Sequence, residues 1–238
     1  MVTRADAIVV GAGVVGAAVA AALAADGRRV TVLEQGVPGG AVSGASLACI
    51  GTHMMDEEEL PLLAWCCDAW AALSEKAPRF EYSRCGQLRF LKHDGEWRSA
   101  ETWIGIERAA GLAPELLEPD AVRRIEPELT GPIVAATWSP NSATVNPFLA
   151  VRTLLDAARA DGATIVAGAA ATRIVTAGGR VAGVETAEGR FDAPLVVIAG
   201  GPWTQTLAAT AGVDLPIVPR KAQCLATVAT RPVIRTVV

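Results

Sequence analysis

The stretch Asp6–Glu34, DAIVVGAGVVGAAVAAALAADGRRVTVLE, decides the fold. The apolar run Ala7–Val10 reads as a buried parallel strand, and Gly11, Gly13 and Gly16 follow it in G-x-G-x-x-G order. Val15, Ala18, Val19 and Ala22 recur at i, i+3, i+4 and i+7, which predicts a helix with these residues on its apolar face. A second apolar run, Val30–Leu33, ends at the carboxylate of Glu34. Each part suits a dinucleotide. Gly11 permits the tight turn, Gly13 lets backbone N–H groups approach a pyrophosphate, and Gly16 lets helix and strand pack closely. The helix N-terminus offers unpaired donors and a positive dipole end to phosphates. Glu34 lies 23 residues after Gly11, where an acidic side chain meets a ribose diol. A glycine-rich turn in some unrelated α/β protein is the competing reading; the strand before the turn and the acid at the second strand tip argue against it.

Working outward, the 238 residues suffice for one large or two small domains with a sizeable core. Hydrophobic residues make up 51% of the chain, but Gly and Pro interrupt them, so no transmembrane segment is expected. Arg4 ahead of an apolar stretch resembles the start of a signal peptide, yet Asp6 and the glycine spacing argue for a strand. A net charge of −4 without a basic block makes nucleic acid an unexpected partner. The five cysteines form no C-x-x-C pair, and the two histidines, His53 and His93, have no partners at metal-ligand spacing. A reducing, cytoplasmic location without a structural metal follows. Vicinal Cys66 and Cys67 fall in a helical pattern and read as small buried thiols rather than redox centres.

Beyond the first unit, residues 36–51 form a small-residue loop, GVPGGAVSGASLACIG, able to lie against a ligand and carrying the hydroxyls of Ser43 and Ser46. Helices are predicted over residues 57–75, 96–110 and 118–128, and strands over 86–91 and 133–138. This middle region breaks the βαβ rhythm, as a second, inserted domain would. The rhythm resumes at Asn146-Pro147, a helix start, with Val151, Leu154, Leu155 and Ala158 apolar and Gly162 at the end. Strands follow at 164–166, 172–175, 181–186 and 195–199, with Gly178-Gly179 as a hairpin turn. The last strand runs into Gly200-Gly201-Pro202-Trp203, a second glycine turn at a strand end.

Taken together these segments resemble the D-amino-acid oxidase (DAO) family of FAD-dependent oxidoreductases, which includes glycine oxidase, sarcosine oxidase and D-amino-acid dehydrogenases. The resemblance rests on GAGVVGAAVAAALAADGRRVTVLE at 11–34, GASLACIG at 44–51 and SPNSATVNPFLAVRTLLDAARADGA at 139–163. It continues in LVVIAGGPW at 195–203 and LPIVPRKAQCLATV at 215–228, with residues 57–130 the weakest part. It implies an α/β fold: a Rossmann-like, FAD-binding βαβ domain from 1–55 and 145–205, and a mostly antiparallel-sheet substrate domain from 56–144 and 206–238. Gly11, Gly13, Val14, Val15 and Gly16 are implied to hold the FAD pyrophosphate, with Glu34 on the adenosine ribose and Gln35 beside it. Ala45 and Ser46 are implied at the phosphate and ribityl region, Ile50, Gly51 and Thr52 at the isoalloxazine ring, and Ala171 at the adenine. Gly200, Gly201 and Trp203 are implied to close over the cofactor. His53 is the candidate to face substrate, or else a polar residue lining the flavin loop. Some relatives attach flavin to a histidine in this loop; the matching position here is Ala48, which implies noncovalent FAD.

The implied chemistry is oxidation of a small amine or amino acid (a D-amino acid, glycine or an N-methyl amino acid) by hydride transfer to flavin. Family members continue past the point matching Val238, into the part that carries the arginine for the substrate carboxylate, a tyrosine and a late glycine motif. Here the one tyrosine is Tyr82, Ala222 stands where glycine is usual, and PVIRTVV at 232–238 reads as an interrupted strand. The expected fold is therefore DAO-like but C-terminally incomplete, with a partner chain as one way to complete the active site. A non-catalytic flavin-binding subunit, or a fragment of a larger dehydrogenase complex, is the alternative. An NAD-dependent dehydrogenase is a third reading, weakened by the ordered later motifs.

Overall fold

The computed structural model describes residues 5–226, 228, 231 and 233–238. Arg4, Thr227 of the motif at 215–228 and Pro232 of the terminal apolar run lie outside the described residues. In chain order the strands are β1 (Ala7–Val10), β2 (Val30–Glu34), β3 (Cys49–Ile50), β4 (Gln87–Phe90), β5 (Glu115–Leu117) and β6 (Ala136–Ser139). They continue with β7 (Ala143–Thr144), β8 (Thr164–Ala167), β9 (Ala171–Ala177), β10 (Arg180–Thr186), β11 (Gly189–Asp192) and β12 (Val196–Ile198). The helices are α1 (Val14–Ala25), α2 (Leu60–Lys76), α3 (Trp97–Ala109), α4 (Pro119–Ile125), α5 (Pro147–Ala160) and α6 (Thr204–Ala209).

Two compact units result, one of Met1–Leu47 and Pro147–Cys224, the other of Ala48–Asn146 and Leu225–Val238. The division differs from the sequence expectation at three places, one of them residues 145–146, which go with the second unit. Residues 48–55 go with the second unit because β3 pairs with β7. Residues 206–224 go with the first because Leu207 packs among Ile8, Val10 and Leu33.

In the first unit, β12, β1, β2 and β8 form a parallel sheet in that order, with β1 at its centre. All four residues of β1 are buried, as a continuous apolar run in a doubly covered parallel strand requires. One face is covered by α1 and α5, through Ala17, Ala20, Ala24, Val151, Leu155 and Ala158. The other carries an antiparallel sheet, β11-β10-β9, whose Ile174 and Val184 meet Ile8 and Leu33. Its hairpin turn uses Gly178 and Gly179 at φ 57° and 74°, the positive values a type I′ turn needs at both positions.

The expected face of α1 is corrected. Val15 is 62% exposed and Ala18 and Ala22 are also exposed, whereas Gly16, Ala17, Ala20 and Ala24 are buried. Nearly every residue of VVGAAVAAALAA is apolar, so periodicity has no contrast to read; the smallest residues face inward because helix and sheet approach closely.

The second unit is built on an antiparallel sheet, β4-β6-β5, with α4 packed through Val122 against Leu88, Leu117 and Ala136. Cys67 on α2 is buried, and burial pushes its thiol up, so it sits there as a small apolar residue. At the C-terminus Val237 pairs in parallel with Gln87 of β4: Leu88 N–H donates to the Val237 carbonyl and Val237 N–H to that of Gly86. The fully buried Glu126 fastens this segment, its Oε1 accepting Arg235 N–H at 2.8 Å, Thr236 N–H at 2.6 Å and the Thr236 hydroxyl at 2.7 Å. Among the described residues no helix is long and apolar enough to cross a membrane.

Candidate functional site

The two glycine turns read from the sequence meet at the carboxyl ends of adjacent strands, β1 and β12. Ala199 N–H donates to the Val10 carbonyl at 2.8 Å, which holds the second turn against the first. Gly11 adopts φ +102°, and a Cβ there would lie 2.4 Å from the Ala199 carbonyl oxygen, so this position takes glycine alone. A Cβ on Gly16 would lie 1.9 Å from the Gly11 carbonyl oxygen, which brings the start of α1 directly onto the turn. Gly13 precedes α1 in extended conformation and contributes no side-chain cap. The N–H groups of the first turn of α1 beyond Val14 are therefore left as anion donors.

These turns open into a cavity of about 610 Å³ within the first unit, lined by residues 10–15, 33–43, 169–172 and 198–207 in part. The volume suits a cofactor-sized ligand. Among the described residues of its lining, Glu34 carries the one ionisable side chain, so a bound phosphate would be held by backbone N–H groups rather than by cations. Gly11 N–H donates to the Leu33 carbonyl and Ala12 N–H to Glu34, which leaves the N–H groups of Gly13, Val15 and Gly16 for that chemistry, and the residues present fit a dinucleotide. Glu34 at the tip of β2 is itself oriented: its Oε2 accepts Ala12 N–H at 2.8 Å and its Oε1 accepts Gly36 N–H at 2.8 Å. Each oxygen keeps a further acceptor site for a diol.

Of the residues named from the sequence, Gly11, Gly13, Val14, Val15, Glu34, Gln35, Ala171, Gly200, Gly201 and Trp203 line this cavity together. Gly16 stands behind the turn as packing. Ala45 and Ser46 belong to the same unit but not to the lining, and Ser46 donates its hydroxyl to the Ser43 carbonyl at 2.7 Å. Ile50, Gly51 and Thr52 belong to the second unit, where Ile50 pairs with Ala143 and Thr52 is fully buried.

His53 is also in the second unit and does not present a ring nitrogen to a ligand. It is 4% exposed, its Nδ1 lies 3.1 Å from Glu107 Oε1 and its Nε2 2.6 Å from Thr137 Oγ1. Glu107 Oε1 also accepts Met54 N–H at 2.8 Å. The substrate-facing role considered for His53 is replaced by an internal one, tying the chain after β3 to α3 and β6.

Ser43 is the polar contact that sequence reasoning left unassigned. Its Oγ accepts Val14 N–H at 3.0 Å, capping α1 from 29 residues away. Its hydroxyl was visible in the small-residue loop, but no local pattern links it to Val14. Gly39, Val42, Ala169 and Thr172 line the cavity without any sequence signal that marks them.

The profile of the DAO family, described as FAD dependent oxidoreductase, matches residues 6–237. The chain belongs to this family. Among its curated relatives, the glycine oxidase of Bacillus licheniformis is 28% identical over 93% of this chain and 61% of its own length. The bifunctional protein ThiO/ThiG of Trichormus variabilis is 28% identical over 92% of this chain and 34% of its own. Of solved structures, L-proline dehydrogenase from P. horikoshii superposes with a TM-score of 0.85 at 26% identity, covering 90% of this chain and 57% of that one. Glycine oxidase from Geobacillus kaustophilus gives 0.82 at 25% identity, covering 89% and 59%. The chain thus spans between about a third and three fifths of the length of these family members. The fold is the α/β arrangement of the family, a parallel-sheet core with antiparallel sheets, and FAD is the family's cofactor.

Proposed function

We propose that the first unit is the FAD-binding part of an oxidoreductase that acts on a small amine or amino acid. The observation that carries this reading is the cavity between two apposed glycine turns at the ends of parallel strands, with Glu34 oriented at its rim. In this reading the backbone N–H groups of Gly13, Val15 and Gly16 take the pyrophosphate, and Glu34, with Gln35 beside it, takes the adenosine ribose hydroxyls. Ala171 lies along the adenine, Gly200, Gly201 and Trp203 wall the cofactor, and Ala45 and Ser46 approach its phosphate and ribityl chain. The cofactor is held noncovalently, since Ala48 offers no nucleophile. Bound there, the flavin supplies an acceptor for the electrons of an amine C–H bond; the protein's share is to orient the reactants and exclude water. Glycine oxidases, an L-proline dehydrogenase and the 4-methylaminobutanoate oxidase of Paenarthrobacter nicotinovorans among the relatives support a substrate with nitrogen on the oxidised carbon.

One observation favours a second reading, a flavin-binding subunit whose substrate site is completed by a partner. The cavity's one ionisable lining group among the described residues is acidic, so it offers a substrate carboxylate no cationic anchor. The test is to incubate the purified chain with FAD, desalt it and record the flavin absorbance. The sample is then made anaerobic and given glycine, sarcosine or D-amino acids. Retained flavin that bleaches supports the oxidoreductase; retained flavin that does not bleach supports the subunit reading. A colourless protein after desalting would sink both.

A further inference from the structure

The second unit has a cavity of its own, about 220 Å³, that none of the chemistry above uses. Four elements build it. Asp68 comes from α2, Tyr82 and Arg84 from the chain entering β4, Asn141 from the β6–β7 turn, and Ala110 and Gly111 from the end of α3. The volume lies below the range of about 300–1,000 Å³ usual for drug-sized ligands, which restricts it to a molecule of few heavy atoms.

Its charges are opposite and not spent on one another. The Arg84 guanidinium donates one N–H to Asn141 Oδ1, which orients the fork and leaves its other donors available. Asp68 makes no hydrogen bond or ion pair among the described residues, with Arg84 or any other group. The Tyr82 hydroxyl has no hydrogen-bond partner there either, while its ring stacks edge-on to Phe80 with centroids 6.3 Å apart. Burial pushes the Tyr82 phenol up, against the pull of Arg84, so at neutral pH it is a protonated donor. Burial likewise keeps the Cys67 thiol at the cavity wall neutral. The cavity therefore has a donor side, made of Arg84 and Tyr82. Its acceptor side consists of Asp68 and the carbonyl end of α3, where the helix dipole is negative.

We propose that this cavity binds a small zwitterion of the α-amino acid class, its carboxylate on Arg84 and Tyr82 and its ammonium on Asp68 and the α3 C-terminus. A simple anion or a simple cation satisfies one side and leaves the opposite charge facing it. The proposal stands on residues of the second unit and is independent of the flavin reading.

Tyr82 is the single tyrosine of the chain, which gives the site its own reporter. Protein labelled with 3-fluorotyrosine yields one ¹⁹F resonance, recorded during titration with glycine and, separately, with acetate and with methylamine. Glycine is expected to move the resonance saturably, and acetate or methylamine to require at least about tenfold higher concentration, the factor set by one lost charge-assisted contact. Asp68→Asn and Arg84→Gln, both at exposed positions, are each expected to weaken glycine by about tenfold or more. An unmoved resonance, an acetate response equal to that of glycine, or a glycine response that survives both substitutions overturns the proposal. Because the readout is confined to Tyr82 and needs no flavin, its failure is distinct from failure of the absorbance test above.

Discussion

Gly16→Ala tests the contact on which the cofactor cavity is built. The added methyl would lie 1.9 Å from the Gly11 carbonyl oxygen and 2.9 Å from its carbonyl carbon, both backbone, and 3.3 Å from Ala199 Cβ. Ordinary contact begins at 3.4 Å, so helix and turn must separate by roughly 1.5 Å, and no flexible side chain is there to absorb it. Overpacking of this kind costs about 3 kcal/mol, the upper end of its usual range. Alanine returns about 1 kcal/mol of helix propensity, leaving a net loss of about 2 kcal/mol. At about 2–4 °C per kcal/mol for a chain of this size, the melting temperature should fall by about 4–8 °C. Gly105→Ala is the control: its Cβ meets nothing within 4 Å on the exposed face of α3, so the same exchange should stabilise by about 0.5–1 kcal/mol. The assay is thermal unfolding of both variants by circular dichroism, followed by FAD retention on desalting, which should drop for Gly16→Ala only. If Gly16→Ala melts at or above the parent temperature, the close approach of α1 to the turn is refuted.

Asp6 is held to about 2 by the Arg29 guanidinium and backbone N–H, below its ordinary 3.8. With the folded value depressed, its contribution to stability is fully present above 3.8 and is lost as pH falls toward 2; Asp6→Asn should flatten the stability profile in that window, and an Asp6 carboxyl titrating near 3.8 by NMR would contradict the pairing. Glu107→Ala leaves His53 Nδ1 and Met54 N–H without their partner and should cost about 2–4 kcal/mol in urea unfolding, whereas a loss under about 1 kcal/mol would speak against these contacts. Glu126→Ala releases three hydrogen bonds to residues 235–236, so exchange of the Thr236 amide should accelerate at least about tenfold while amides of β1 keep their protection. Equal acceleration at both places would mean that Glu126 supports the whole fold rather than the terminal segment.

The elements that local chemistry governs could be read directly. The run Ala7–Val10, the helix start at Asn146-Pro147 and the Gly178-Gly179 turn each depend on residues a few positions apart, and each forms as expected. Short strands were missed where pairing partners alone define them: β3, β5 and β7 are two or three residues long and exist because distant segments align. The same limit applies to the site. G-x-G-x-x-G and Glu34 announce themselves because strand, turn and helix fix their spacing, and the cavity gathers them as their order implied.

The sequence by itself determined the βαβ unit, its glycine turn, the acid at the tip of β2 and membership in an FAD-dependent family. The first three follow from short-range sterics and from periodicity that survives without neighbours, and the family from the resemblance of its ordered motifs. Only the tertiary structure decided which face of α1 is buried, that Ser43 caps Val14, and that His53 is spent on Glu107 and Thr137. An all-apolar helix has no preferred side until a sheet approaches it. A polar side chain likewise has no partner until chain segments 29, 54 or 84 residues apart are brought within 3.2 Å.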